Sequence, residues 1–232
     1  MESAVKRKVR TIDASWSTPQ LLEAMLHALK GDGPALSTTD LGIEEITSQC
    51  ALVVTTSGST GDPKSVLLSA HSLLSNARAT HKFLNATSGE RWSLLLPTTH
   101  IAGLNILIRS IELGTEPVSL SSKADYTAIV PTQLHRALHG DRINVVTTYG
   151  MTETTGGVVY NGQPLEGVEI DIREGLIAIK APQVALGYLH GDFPINDGWF
   201  ITKDRGELRE GKLQVLGRTD DQIISGGEKI SL

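Results

Sequence analysis

Cysteine is almost missing. Cys50 is the only one in 232 residues, which excludes an intrachain disulfide and a cysteine-rich zinc site and fits a reducing compartment. No apolar run approaches the roughly 20 residues that cross a bilayer. The basic Lys6-Arg7-Lys8 near the start is not followed by an apolar stretch that could act as a signal. A soluble, cytoplasmic protein without a membrane span is expected. Positive charge is not in excess either: 21 basic against 26 acidic residues give a net charge of -5, which disfavours nucleic acid as a partner. Any phosphate binding must therefore be local. Repeats of 20 to 50 residues and low-complexity segments are also lacking. What is present is 40% hydrophobic and 20% charged residues, enough for an ordinary core in one large domain or two small ones.

The pattern of apolar residues predicts an α/β first part. Ser17 or Thr18 before Pro19 starts a helix in which Leu21, Leu22, Met25, Leu26 and Leu29 recur at helical spacing until Gly31. Ala51 to Thr55 reads as a buried strand and Val66 to Leu68 as a second, with a Gly/Ser/Thr loop between them. Ser69 caps a helix towards Leu84, Ser93 to Leu96 is strand-like up to Pro97, and Ala102 to Leu113 is an apolar helix closed by Gly114. Ala128 to Val130, a short helix near Leu134 and a buried strand from Ile143 to Thr148 follow. The end of that strand, Tyr149-Gly150-Met151-Thr152-Glu153, is a natural ligand position. Beyond Tyr160 the chain turns to β: Val168, Ile170 and Ile172 alternate with polar residues, Glu174-Gly175 makes a turn, and Leu176, Ile177 and Ile179 begin a partner strand.

The loop Thr56-Ser57-Gly58-Ser59-Thr60-Gly61-Asp62-Pro63-Lys64 concentrates anion-binding chemistry. Glycines let backbone N–H groups approach phosphate oxygens, hydroxyls add donors, and Lys64 adds a point charge. A mononucleotide P-loop needs Gly-Lys-Ser/Thr at the start of a helix. Here Asp62-Pro63 separates Gly61 from Lys64 and a β-patterned Val66-Leu67-Leu68 follows, so that rival is disfavoured. A flexible polar hairpin is the bland alternative.

This loop resembles the signature phosphate loop of adenylate-forming enzymes, the family of acyl-CoA synthetases, luciferases and peptide-synthetase adenylation domains. Three further segments are similar to the family's motifs and stand in the expected order: Tyr149-Gly150-Met151-Thr152-Glu153-Thr154, Gly198-Trp199-Phe200-Ile201-Thr202-Lys203-Asp204, and the run Gly217 to Glu228. Gly187-Tyr188 also looks like the family's pattern. The resemblance implies the large N-terminal domain of such enzymes, an α/β fold of layered sheets with a β-rich subdomain. It divides the chain into 1–160, an ATP- and acid-binding part, 161–216, the β-rich part, and 217–232, a hinge motif.

The resemblance also implies roles. The Thr56 to Lys64 loop would hold the β- and γ-phosphates of ATP, Thr152 would contact the α-phosphate, Gly150 would belong to the ATP site, and Glu153 would hold Mg2+. Without its neighbours, Thr152-Glu153 reads as a helix cap with a first-turn acid. Tyr149 would stack on adenine, against the commoner role of packing with a satisfied hydroxyl. Asp204 would accept from both ribose hydroxyls, against a solvated turn aspartate. Arg218 would reach ribose or phosphate, against a surface ion pair of small worth. Asp220 matches the hinge on which a small domain rotates between the two half-reactions. Lys203 stands where many relatives have glycine.

Leu96-Pro97-Thr98-Thr99-His100-Ile101-Ala102-Gly103-Leu104 resembles the acid-site segment of the o-succinylbenzoate-CoA ligases of menaquinone biosynthesis, with His100, Asn105, Gly150 and Gly157 at the acid pocket. A lone histidine is more often structural. Lys64, Thr152, Glu153 and His100 are the candidate catalytic residues. Small-molecule partners follow: o-succinylbenzoate, ATP and coenzyme A as second substrate, with a homodimer left open. Two departures stand out. Leu138 and Ile143 are joined by only four residues where relatives have a longer stretch bordering adenine, and Leu232 follows directly on the hinge motif, so that the family's small domain and its adenylation lysine are not among these residues. Another acyl-CoA synthetase, an adenylation domain, or a nucleotide-binding module with little turnover are the alternatives.

Overall fold

The computed structural model describes residues 5–56, 63–119, 123–129, 145–220, 222–225 and 228–231. Its first layer is a six-stranded sheet in the order Gly187–Tyr188, Lys64–Ser69, Cys50–Thr56, Ala35–Ser37, Lys6–Thr11, Glu45–Thr47. Lys6–Thr11 and Cys50–Thr56 both run parallel to Ala35–Ser37, and the outer pairs are antiparallel. Cys50 is buried in this sheet, and burial pushes its thiol up to about 11.

Three helices cover the sheet. Helix α1, Thr18–Lys30, starts where the Gln20 side chain reaches back to accept from the Ser17 N–H at 2.9 Å, and it stops at Gly31, whose φ of 82° is left-handed. Helix α2, Ala70–Leu84, is capped by Ser69 Oγ, which accepts from the Ser72 N–H at 2.9 Å. Helix α3 is Ile101–Leu113. Apolar faces of all three meet the sheet: Met25, Leu73, Leu104 and Leu107 are packed with Leu36, Leu52 and Leu68, all inaccessible to solvent. One glycine decides the entry of α3. A Cβ on Gly103 would lie 2.2 Å from the Pro97 carbonyl oxygen, so only glycine lets the helix lie on the preceding turn.

The second half is β, as its alternation predicts. A three-stranded sheet, Gln163–Pro164, Gly156–Tyr160, Thr148–Met151, adjoins a five-stranded one in which Trp199–Arg209 pairs with Leu176–Lys180, Ile195–Asn196 and Lys212–Arg218. Val158, Tyr160, Ile177, Ile179 and Phe200 share a second core. The 160/161 boundary drawn from the sequence falls in the turn between Gly156–Tyr160 and Gln163–Pro164. Among the described residues no helix is long and apolar enough to cross a membrane.

Three strand readings are corrected. Ser93 to Leu96 shrinks to Trp92–Ser93, because the chain turns at Pro97, which has no N–H, to enter α3. Its partner is Tyr126–Thr127, ahead of the expected Ala128 to Val130. Of the expected strand Ile143 to Thr148, residues 143 and 144 lie outside the described residues and 145–147 are not strand; the strand is Thr148–Met151, which pairs with Gly156–Tyr160, while Val145 is 43% exposed. The helix near Leu134 and the short Leu138 to Ile143 connection lie outside the described residues.

Candidate active site

The strand Lys64–Ser69 begins with the lysine itself, so Lys64 leaves the sheet at its end, where Thr56 finishes the neighbouring strand in register with it. Its ammonium lies 4.7 Å from the centroid of the Tyr188 ring. Tyr188 arrives by a chain reversal that the sequence pattern did not reveal: Gly187–Tyr188 pairs with the outer side of Lys64–Ser69, Tyr188 opposite Val66. The Tyr188 hydroxyl donates to Glu153 Oε1 at 2.8 Å, and burial, then the Glu153 interaction, push the phenol well above its ordinary range. Glu153 sits in a single 3-10 turn, Thr152–Thr154, directly after the strand Thr148–Met151. Its own carbonyl accepts from the Ala185 N–H at 2.8 Å, which ties the turn to the approach of Tyr188.

Asp204 is placed by alternation. Along Trp199–Arg209 the residues Phe200, Thr202, Asp204 and Gly206 point inward and Lys203 and Arg205 outward, so the carboxylate is carried into the protein and is 6% exposed. Arg218 is its direct cross-strand partner and donates to Asp204 Oδ1 at 3.0 Å, while the Tyr149 hydroxyl donates to Oδ2 at 2.8 Å. Burial, then the Asp204 charge, raise the Tyr149 phenol far above its ordinary range. Arg218 also grips Asp220 through Nε at 2.8 Å and Nη2 at 3.2 Å. One guanidinium thus joins the expected ribose carboxylate to the expected hinge.

Thr56, Lys64, Thr152, Glu153 and Arg218 line a single cavity of about 520 Å³, with Ile101, Met151, Tyr188, Asp192 and Lys203. Ser57, Gly58, Ser59, Thr60 and Gly61 lie outside the described residues. Gly150 cannot be another residue, because a Cβ there would lie 2.0 Å from the Gly156 carbonyl oxygen, across the hairpin. His100 is exposed and precedes α3 as its N-cap, one residue before Ile101 in the cavity wall. Asn105 is buried and donates to the Thr155 carbonyl at 2.7 Å, and the Gly157 carbonyl accepts from Asn76 Nδ2 at 2.8 Å. These two residues hold the 150–157 hairpin against the helices. Reading the sequence passed over Tyr188 and Asp192 as wall residues. The Gly187-Tyr188 pair was a signal for the first, whereas nothing marked the second.

Among the described residues no three His, Cys, Asp or Glu side chains gather to hold a metal. A cation here would have Glu153 and substrate oxygens, which suits Mg2+, a hard ion that takes few protein carboxylates. Polar groups at the ends of adjacent strands, two lysines and one arginine line this cavity, and the buried Asp204 bonded to Arg218 stands next to it, a combination chemically suited to a polyphosphate joined to a diol.

The sequence pattern of the AMP-binding enzymes matches residues 5–129, just over half of the chain. A "Probable 2-succinylbenzoate–CoA ligase" of Mycobacterium tuberculosis is 35% identical, over 93% of this chain and 73% of that protein. The chain belongs to the AMP-binding enzyme family. Among solved structures of this family, o-succinylbenzoate coenzyme A synthetase from Bacillus subtilis in complex with the acyl-adenylate intermediate OSB-AMP superposes with a TM-score of 0.71 at 25% identity, over 96% of this chain. The same enzyme in complex with ATP and magnesium ion shares the fold at a TM-score of 0.71 and 24% identity. This chain spans 66% of the length of that AMP-binding enzyme.

Proposed function

We propose that this AMP-binding enzyme is an ATP-dependent acid–thiol ligase that activates o-succinylbenzoate as its acyl-adenylate and passes the acyl group to coenzyme A, a step of menaquinone biosynthesis. One observation carries the reading: Lys64, Thr152, Glu153 and Arg218 converge on one cavity, with the buried Asp204 held behind Arg218. The identity of the acid rests on the mycobacterial and Bacillus relatives.

The chemistry is attack of the acid's carboxylate on the α-phosphorus of ATP with departure of pyrophosphate, and then attack of the coenzyme A thiol on the acyl carbon with departure of AMP. Lys64 and the loop before it neutralise the β- and γ-phosphates and hence the leaving pyrophosphate. The Thr152 hydroxyl orients the α-phosphate for in-line attack. Asp204 accepts from the ribose hydroxyls, and Tyr149, hydrogen-bonded to Asp204, offers a ring for adenine. Mg2+ held by Glu153 would supply charge neutralisation between phosphate oxygens. His100, exposed at the start of α3 next to the cavity residue Ile101, would meet the acid. A cytoplasmic location suits the lone reduced cysteine, the net charge of -5 argues against nucleic acid as a partner, and a homodimer is compatible with the reading.

The test follows pyrophosphate release with ATP, Mg2+ and o-succinylbenzoate, then thioester formation on adding coenzyme A. Release that depends on o-succinylbenzoate is the expected result. Release with a different aryl acid only would reassign the substrate, and ATP binding without release for any acid would reduce the protein to a nucleotide-binding module.

A further inference from the structure

Tyr188 touches two charged groups of the cavity wall, Lys64 and Glu153. Its hydroxyl donates to Glu153 Oε1 at 2.8 Å, and its ring face carries the Lys64 ammonium at 4.7 Å. Three restraints hold it there. The residues on either side of Gly187–Tyr188 bond to the lysine strand, Leu186 N–H to the Leu67 carbonyl and Leu189 N–H to the Ser65 carbonyl, each at 2.8 Å. The ring meets Phe193 edge-on at 5.0 Å. Phe193 in turn stacks on Phe200 at 5.1 Å, on the strand that carries Asp204. A side chain fixed from backbone and ring thus contacts a carboxylate with its hydroxyl and an ammonium with its ring face.

We propose that Tyr188 is a positioning residue for ATP use: its hydroxyl orients the Glu153 carboxylate so that Oε2 serves the metal, and its ring holds Lys64 at phosphate distance without neutralising it. This deepens the proposed ATP-dependent function and rests on it. The two jobs are carried by different parts of the same side chain, so they separate by substitution. Tyr188→Phe keeps the ring and loses the hydroxyl; Tyr188→Leu loses both. Removing a partner that orients a metal ligand costs about 10-fold or more in metal affinity. Loss of a partly desolvated cation–π contact costs roughly 3- to 10-fold in binding.

The experiment titrates ATP calorimetrically at a series of Mg2+ concentrations, with pyrophosphate release measured in parallel on wild type, Tyr188→Phe, Tyr188→Leu, Glu153→Gln and the Tyr188→Phe/Glu153→Gln pair. Tyr188→Phe is expected to need about 10-fold more Mg2+ for half-maximal ATP binding, with affinity at saturating Mg2+ within about 2-fold of wild type. Tyr188→Leu is expected to lose a further 3- to 10-fold at saturating Mg2+. In the Glu153→Gln background Tyr188→Phe should add nothing to the Mg2+ requirement. An unchanged Mg2+ requirement in Tyr188→Phe, or the same loss in both backgrounds, would overturn the proposal, as would wild-type ATP binding that ignores Mg2+. If wild type binds ATP with Mg2+ yet releases no pyrophosphate with o-succinylbenzoate, the substrate assignment fails while the binding series still decides the role of Tyr188.

Discussion

Replacing Asp204 by Asn tests the nucleotide site where its geometry is tightest. The carboxylate is 6% exposed and accepts charge-assisted bonds from Tyr149 at 2.8 Å and Arg218 at 3.0 Å. Such bonds contribute about 1.5–3 kcal/mol each. Full loss of both would overstate the cost, because Asn keeps one acceptor oxygen and Arg218, about a third exposed, retains Asp220 at 2.8 and 3.2 Å. A net destabilisation of about 2–3 kcal/mol follows, or roughly 4–12 °C in Tm for a chain of this size. On the proposed ribose role the same substitution would weaken two hydroxyl contacts, and a loss of about 1.5–3 kcal/mol there would raise the KM for ATP roughly 10- to 100-fold. Stability and binding are told apart with 2′- and 3′-deoxy-ATP below the melting range. Wild type should prefer ATP strongly over both analogues, and Asp204→Asn should lose much of that preference. A variant that melts earlier yet keeps the full preference would refute the ribose assignment and leave Asp204 as a structural partner of Arg218.

Lys64→Ala should raise the KM for ATP by about 10-fold or more while moving Tm little, since the side chain contributes charge at a cavity wall rather than core packing; an unchanged KM would sever it from the phosphates. Gly103→Ala should destabilise by about 1–3 kcal/mol or more in urea unfolding, because the new methyl meets the Pro97 carbonyl oxygen at 2.2 Å and the helix or the preceding turn has to shift. His81 is buried, and desolvation, then the Arg109 charge, lower its pKa to about 4. The folded value lies below the unfolded one of about 6.5, so the unfolded chain takes up the proton first and stability falls as pH drops from about 6.5 to about 4. That loss should be about 2–3 kcal/mol in wild type and absent in His81→Gln, read from urea midpoints at pH 7 and 4.5; parallel pH slopes would show that His81 is not the titrating group.

Much of this protein was written in local patterns. The helix between Ser17 and Gly31, the capped helix after Ser69 and the alternation from Val168 to Ile179 follow from caps, glycines and period, all of which act within a few residues. The motif residues Lys64, Thr152, Glu153, Asp204 and Arg218 could be named from their order along the chain. What the tertiary structure alone decided is which of them meet, because strand pairing across long separations obeys packing of whole faces rather than any short pattern. Gly187–Tyr188 had to fold back onto Lys64–Ser69 before Tyr188 could stand between Lys64 and Glu153. Thr148–Met151 became a strand through its pairing with Gly156–Tyr160, whereas the described residues just before it, 145–147, did not. That Asn105 donates from Nδ2 to the Thr155 carbonyl, 50 residues away, could not be read locally, since it answers the need of a buried backbone oxygen for a donor.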